Sequence, residues 1–385
     1  MTDPATTRRR WPFPDRAQLA TAGLVAMIFA ITYASTVRTK PLFAPDTRYY
    51  AGMALWFGGD SKDAAAREVA AHSAKMGWES PGADVLFGWG LVQPRVVYPA
   101  LSTPFAKIFG IDGMAIVPGI ATALFIALLT LLLALRWGNL VALVTVVLIC
   151  TSHYLMFYFS AMLTESLTAL WGALLLAIVW RFHKRPSYWL VGAMVLVTVI
   201  SAFTRQATLI PAGAFVSAWF FALVLRQGER KWRWPALAIG ATAIGVQVLQ
   251  MLLWPGFSQA NQFKDKTGAD TLGEALANSP RLAWDILTTD VNSMAVNDRS
   301  LLVLLALAVI SMVVFWRRSE SHLLLGALAA YEIYNVTNGT PTAFRYGTPG
   351  LVFVGCSVAL LIATARTALR SPQAAPADQP ADQPA

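Results

Sequence analysis

Hydrophobic and polar positions alternate along this chain in blocks rather than residue by residue. Apolar runs of about 17–25 residues, the length that crosses a bilayer core as helix, recur at 18–37, 112–135, 139–158, 162–181, 187–204, 207–225, 235–254, 300–316, 321–337 and 347–365. Ten spans of an all-α, polytopic helical membrane protein are therefore predicted. Two long polar stretches, 38–111 and 255–299, separate them. Within the first, Asp60 to Met76 reads as an amphipathic helix with Asp63, Arg67, Glu68 and Lys75 on its wet face. Within the second, a helical stretch starts at Thr271 and carries Trp284 and Asp285. Residues 92–110 are moderately apolar, but three prolines, Arg95 and Lys107 interrupt them. They read as helices lying in the membrane interface rather than as a span.

Composition agrees with the pattern. Of 385 residues, 56% are hydrophobic and 13% charged, against roughly a quarter charged in soluble domains. The net charge of +9 is accordingly a topology signal, and no nucleic-acid partner is implied. Arg8, Arg9, Arg10 and Arg16 precede the first span and place the N-terminus in the cytoplasm. Alternation then puts Arg136, Arg181, Lys184, Arg185, Arg226, Arg230, Lys231, Arg233, Arg317, Arg318, Arg366 and Arg370 on the same side. The short loops opposite hold only Arg205 and Arg345. A first span of about 20 residues reads as an uncleaved anchor rather than a signal peptide. Residues 1–17 form a cytoplasmic segment, 18–365 the membrane domain and 366–385 a disordered cytoplasmic tail with an Ala-Asp-Gln-Pro repeat. Cys150 and Cys356 both fall in spans, so no disulfide framework is implied.

Ionisable groups at membrane depth are costly, about 2.5–3.5 kcal/mol each on insertion scales. Here they gather at one level. Asp46 follows the first span, His153 lies near the outer end of the third, and Glu165 opens the fourth. Arg205 and Gln206 fill the link between the fifth and sixth, and Arg345-Tyr346 precedes the tenth. Each has a plain structural role open to it: Asp46 as N-cap of a helix from Thr47, Glu165 as a helix-dipole partner, the arginines as snorkelling cations, His153 as a packing residue. Their shared level is what points to a site.

The layout resembles the GT-C class of integral membrane glycosyltransferases, which includes aminoarabinose transferases of lipid A, protein O-mannosyltransferases and actinobacterial cell-wall arabinosyl- and mannosyltransferases. The aminoarabinose enzymes show an Asp-x-x-Arg-Tyr-like pattern in the first outer loop, to which Asp46-Thr47-Arg48-Tyr49 is similar. The larger members carry a C-terminal periplasmic domain that has no counterpart here. The resemblance implies a plasma (inner) membrane enzyme with an extracytoplasmic site that moves a hexosyl or pentosyl group from a polyprenyl-phosphate donor to a glycan, lipid or protein acceptor. Asp46 would be the general base, with inversion at the anomeric carbon. Arg205 and Arg345, then Arg48 and Arg95, would meet the donor phosphate. Glu165, with His153, would bind the acceptor, share a divalent cation with Asp46 or orient an arginine. Tyr49, Tyr98 and Trp89 would stack on sugar. A transporter or flippase of a lipid-linked or anionic substrate is the alternative.

Overall fold

The computed structural model describes residues 16–256 and 258–370, so the arginines at 8–10 and the repeat-bearing tail lie outside the described residues. Every regular element among the described residues is helical. That follows from the apolar runs, because a backbone in lipid must satisfy its own N–H and C=O groups. In chain order the helices are α1 (Arg16–Thr39), α2 (Thr47–Phe57), α3 (Lys62–Lys75), α4 (Ala83–Gly88), α5 (Val97–Phe109), α6 (Ile116–Trp137), α7 (Asn139–Cys150), α8 (His153–Ser160) and α9 (Glu165–Lys184). There follow α10 (Tyr188–Thr204), α11 (Leu209–Val224), α12 (Glu229–Leu253), α13 (Gln259–Thr267), α14 (Leu272–Asn297), α15 (Arg299–Val314), α16 (Ser319–Asn338) and α17 (Leu351–Arg370). Short 3₁₀ turns at Ile111–Ala115 and Arg345–Gly350 lead into α6 and α17.

Among the described residues, five helical segments are long and apolar enough to cross a membrane: Arg16–Thr39, Ile111–Trp137, Glu165–Lys184, Arg230–Leu253 and Arg345–Leu369. The run at 139–158 is not one straight span. It breaks into α7 and α8, bent by 75°. The break is capped from afar. Ser152 accepts from the Leu155 N–H at 3.1 Å, while Asp298 Oδ2 accepts from the Ser152 hydroxyl at 2.6 Å and the Tyr154 N–H at 2.7 Å. The other oxygen of Asp298 caps α15 through the Leu301 N–H at 3.0 Å. One carboxylate thus satisfies the starts of two helices. Helices α10, α11 and α15 have 17, 16 and 16 residues, about 24–26 Å of helix.

The polar stretch 38–111 folds over one end of the bundle. Its amphipathic helix is α3, capped by Ser61, with Ala65, Val69 and Ser73 buried and the four charged residues of its wet face exposed. The segment at 92–110 contains a single 13-residue helix, α5, too short to span, which turns Leu101, Ile108 and Phe109 outward and donates Thr103 Oγ1 to the Ala54 carbonyl of α2 at 3.2 Å. In the second polar stretch Thr271 and Glu274 form a reciprocal capping box at the start of α14.

Close helix approach relies on small residues, as expected where lipid supplies no hydrophobic drive between helices. Gly213 of α11 faces Gly326 of α16 so closely that a Cβ on Gly213 would stand 2.7 Å from the Gly326 carbonyl. Gly172 of α9 likewise admits the Pro349 carbonyl against its backbone. That second contact seats the Arg345–Gly350 turn on α9, two turns from Glu165.

Candidate functional site

The Asp46 loop and the segment before α9 are sewn together. Met162 N–H donates to the Leu42 carbonyl at 2.9 Å, and Thr47 Oγ1 donates back to the Met162 carbonyl at 3.0 Å. Thr47 also accepts from the Ala44 N–H at 2.9 Å. Thr47 therefore satisfies the loop, and the carboxylate of Asp46, although it stands at the N-cap position of α2, makes no capping bond. Asp46 is left free to point elsewhere.

It points at Arg345. The Arg345 Nη2 donates to Asp46 Oδ2 at 2.7 Å, and its Nε donates to Glu165 Oε1. Arg205 Nη1 reaches the same Glu165 oxygen at 2.6 Å and Thr164 Oγ1 at 3.3 Å. One guanidinium thus bridges two carboxylates, and a second backs the inner one. The depth of the groups differs. Glu165 is 0% exposed and Arg205 2%, whereas the Asp46 and Arg345 side chains are 24% and 20% exposed. Asp46 and Arg345 form the outward layer; Glu165 and Arg205 form the layer behind. Arg95, 3% exposed, joins this neighbourhood and donates to Tyr50 Oη at 3.0 Å.

Three guanidiniums then face two carboxylates. Burial alone would push the Asp46 carboxyl up, but the positive fields of Arg345, Arg95 and Arg205 more than reverse this and hold it below its usual range. Asp46 is ionised at neutral pH. Several buried polar atoms here lack a partner: Glu165 Oε2, Arg205 Nε, Arg95 Nε, Ser166 Oγ and Gln206 Oε1. Buried donors and acceptors are normally paired, so these atoms set the neighbourhood apart from an ordinary helix interior.

The loop that presents Arg345 is strained. Ala343 and Phe344 have positive φ, 46° and 68°, without being glycine. Asp290 of α14 holds them, accepting from the Ala343 N–H at 2.8 Å, while Tyr158 Oη donates to the Thr342 carbonyl at 2.8 Å. Burial raises the Asp290 carboxyl above its usual range despite the backbone N–H groups of Ala343, Thr342 and Phe344 beside it. Thr168 and Thr348 hydroxyls, 3.2 Å apart, fasten the same turn to α9.

The other expected residues distribute unevenly. Glu165, expected at the acceptor or at a cation, is enclosed, and its one bonded oxygen is taken by two arginines. No group of three or more His, Cys, Asp or Glu side chains disposed for a metal occurs among the described residues. His153 is exposed at the start of α8, against the Tyr154 ring at 6.0 Å, and not beside Glu165. Arg48 turns away from the cluster to the carbonyls of Pro45, at 2.9 Å, and Glu79. Tyr98 is not a sugar platform: it is fully buried, edge-on to Tyr50 at 5.4 Å, with its hydroxyl on the Met114 carbonyl. Tyr49 and Trp89 instead form a half-exposed pair, ring centroids 4.6 Å apart. Comparison with known protein families, curated proteins and solved structures gives no match to this chain.

Two neighbours complete the cluster: Tyr346, which the sequence placed beside Arg345 without a role, and Asp290, which it did not single out. The Arg205 guanidinium lies 4.7 Å from the Tyr346 ring, a cation–π contact, and Tyr334 packs edge-on to that ring at 5.4 Å. Tyr346 follows Arg345 directly, which was a usable signal. Asp290 sits mid-helix with no pattern to distinguish it.

Proposed function

We propose that the chain is a ten-span, GT-C-like glycosyltransferase of the plasma membrane, with its Asp46 end extracytoplasmic as the basic residues of the opposite loops require. The donor is a polyprenyl-phosphate-linked sugar and the acceptor carries a hydroxyl. The single observation that carries this reading is the Asp46–Arg345–Glu165–Arg205 chain of charges at one end of the bundle. It supplies a reachable carboxylate beside a guanidinium with phosphate-binding geometry.

In the reaction the acceptor oxygen attacks the anomeric carbon from the face opposite the phosphate. Its proton passes to Asp46 Oδ. The bond from the anomeric carbon to the phosphate oxygen breaks, its electron pair leaves with that oxygen, and polyprenyl phosphate departs as a dianion. The anomeric centre inverts. Arg345 meets the growing charge with its planar fork, and Arg95 adds a buried positive field. Glu165 positions Arg345 and Arg205 rather than touching substrate. Donor binding also arms the base. While Arg345 is on Asp46, the carboxylate is a weak proton acceptor. A phosphate that draws Arg345 towards itself lifts the basicity of Asp46 where the acceptor arrives. Tyr49 and Trp89, at the rim, offer ring faces to a sugar.

The test is turnover. Membranes holding wild type, Asp46→Asn or no protein receive labelled polyprenyl-phosphate sugars, and free polyprenyl phosphate and labelled acceptor are measured. Turnover by wild type alone is expected. Turnover equal in Asp46→Asn would remove Asp46 as base. Movement of intact lipid-linked sugar across the bilayer without release would replace the transferase with the transporter.

A further inference from the structure

The opposite end of the bundle holds a cavity of about 960 Å³, in the range of ligand pockets (about 300–1,000 Å³). Its cations come from four separate places in the chain: the ends of α6 and α9, the start of α12 and the α15–α16 link. Arg136, Arg181, Lys184, Lys231, Arg317 and Arg318 line it, against Glu320 as the one carboxylate among the described lining residues. The positive-inside rule asks for cations in these loops. It does not ask that four loops aim them into one cavity.

Part of the wall is rigid. Arg136 pairs with the buried Glu320 and lies over the Trp180 and Trp137 rings at 4.8 and 5.2 Å. His183 Nε2 meets the Lys231 carbonyl at 3.1 Å, and its ring stands edge-on to Trp232 at 4.6 Å. The remaining cations are unspent: among the described residues Arg181, Lys184, Lys231, Arg317 and Arg318 make no ion pair. Deeper in, the lining turns apolar, with Leu132, Leu135, Leu323 and Leu360.

We infer that this cavity binds a phosphate group at the membrane surface opposite the Asp46 site. Guanidiniums in excess match phosphate oxygens in number and geometry. Basic pockets between membrane helices, with tryptophans at headgroup level and an apolar floor, are the setting in which phosphate headgroups are held. The group arrives either on a lipid, whose chains would lie along the leucines, or free in solution. The inference holds whichever reaction the Asp46 end performs.

The experiment uses the full chain purified in a neutral detergent and titrated separately with phosphatidylglycerol and with inorganic phosphate, read by native mass spectrometry and by melting temperature. The comparison variant is Lys231→Gln/Arg317→Gln/Arg318→Gln, whose side chains are exposed and whose unliganded melting should match wild type. Saturable binding that weakens about tenfold or more in the variant is expected. Phosphatidylglycerol as the saturating ligand assigns a lipid source, and inorganic phosphate alone a soluble one. Absence of saturable binding by either, or equal affinity in wild type and variant, overturns the inference.

Discussion

The two ends of the bundle use charge in opposite ways. At the Asp46 end the clustered ions are few, buried or half-buried, and bonded to one another, so that Arg345 and Arg205 have carboxylate partners and Arg95 a tyrosine. At the other end they are many, exposed and mostly unpaired around an open cavity. Positive charge alone therefore does not distinguish a buried charge network from a topogenic loop. Pairing and depth do. Ions withdrawn from water need one another's company, which holds their positions. Ions left in water remain available to a headgroup.

The sharpest way to break this comparison is to remove one partner at each end. Glu165→Ala strands the buried Arg205 and should cost about 3–5 kcal/mol, read as a large drop in melting temperature. Lys231→Gln at the other end should stay within about 0.5 kcal/mol. Equal shifts would contradict the assignment of a buried network to the Asp46 end alone.

Gly172→Val tests how the outward layer is positioned. A side chain there meets the Pro349 carbonyl, and overpacking of this kind costs about 1–3 kcal/mol. Turnover should fall further than stability alone accounts for, because Arg345 rides on that turn. Asp290→Ala leaves the buried Ala343 N–H without its acceptor, a loss of about 1–3 kcal/mol. Asp290→Asn, which keeps an acceptor oxygen, should recover much of the melting temperature and activity. No difference between the Ala and Asn variants would deny Asp290 its hold on the strained loop.

The pH dependence follows from Asp46. Its folded-state pKa is lowered, so the stability it contributes is present above the ordinary carboxylate pKa of about 3.9 and is lost as pH falls through the lower folded value. The kcat/KM profile, which reports the free enzyme, should accordingly stay level from neutral pH down through 5. Arg345→Gln removes the strongest positive field on Asp46 and should move the acid limb upward. An unmoved limb would separate Asp46 from Arg345 in function.

Much of this was legible in the residues. Apolar run length marked the helices, Ser61 and the Thr271–Glu274 box lay where helices α3 and α14 begin, and the alternation of spans put Asp46, Glu165, Arg205 and Arg345 at one level. What stayed hidden depends on distant partners. The bend between α7 and α8 needs Asp298, far along the chain, to cap Ser152. Arg48 stood behind Arg345 as a phosphate partner, and backbone carbonyls claim it. Tyr98 looked like a platform because burial on both faces is a tertiary property. The basic cavity was invisible for the same reason: each loop reads as ordinary charge, and only packing brings the loops together.

The competition between Asp46 and a donor phosphate for Arg345 is tested most directly by measuring the affinity of polyprenyl phosphate for wild type and Asp46→Asn. Asp46→Asn removes the carboxylate that holds Arg345, so it should bind the phosphate more tightly than wild type. Weaker or unchanged binding in that variant would contradict a site in which Arg345 passes from Asp46 to the phosphate.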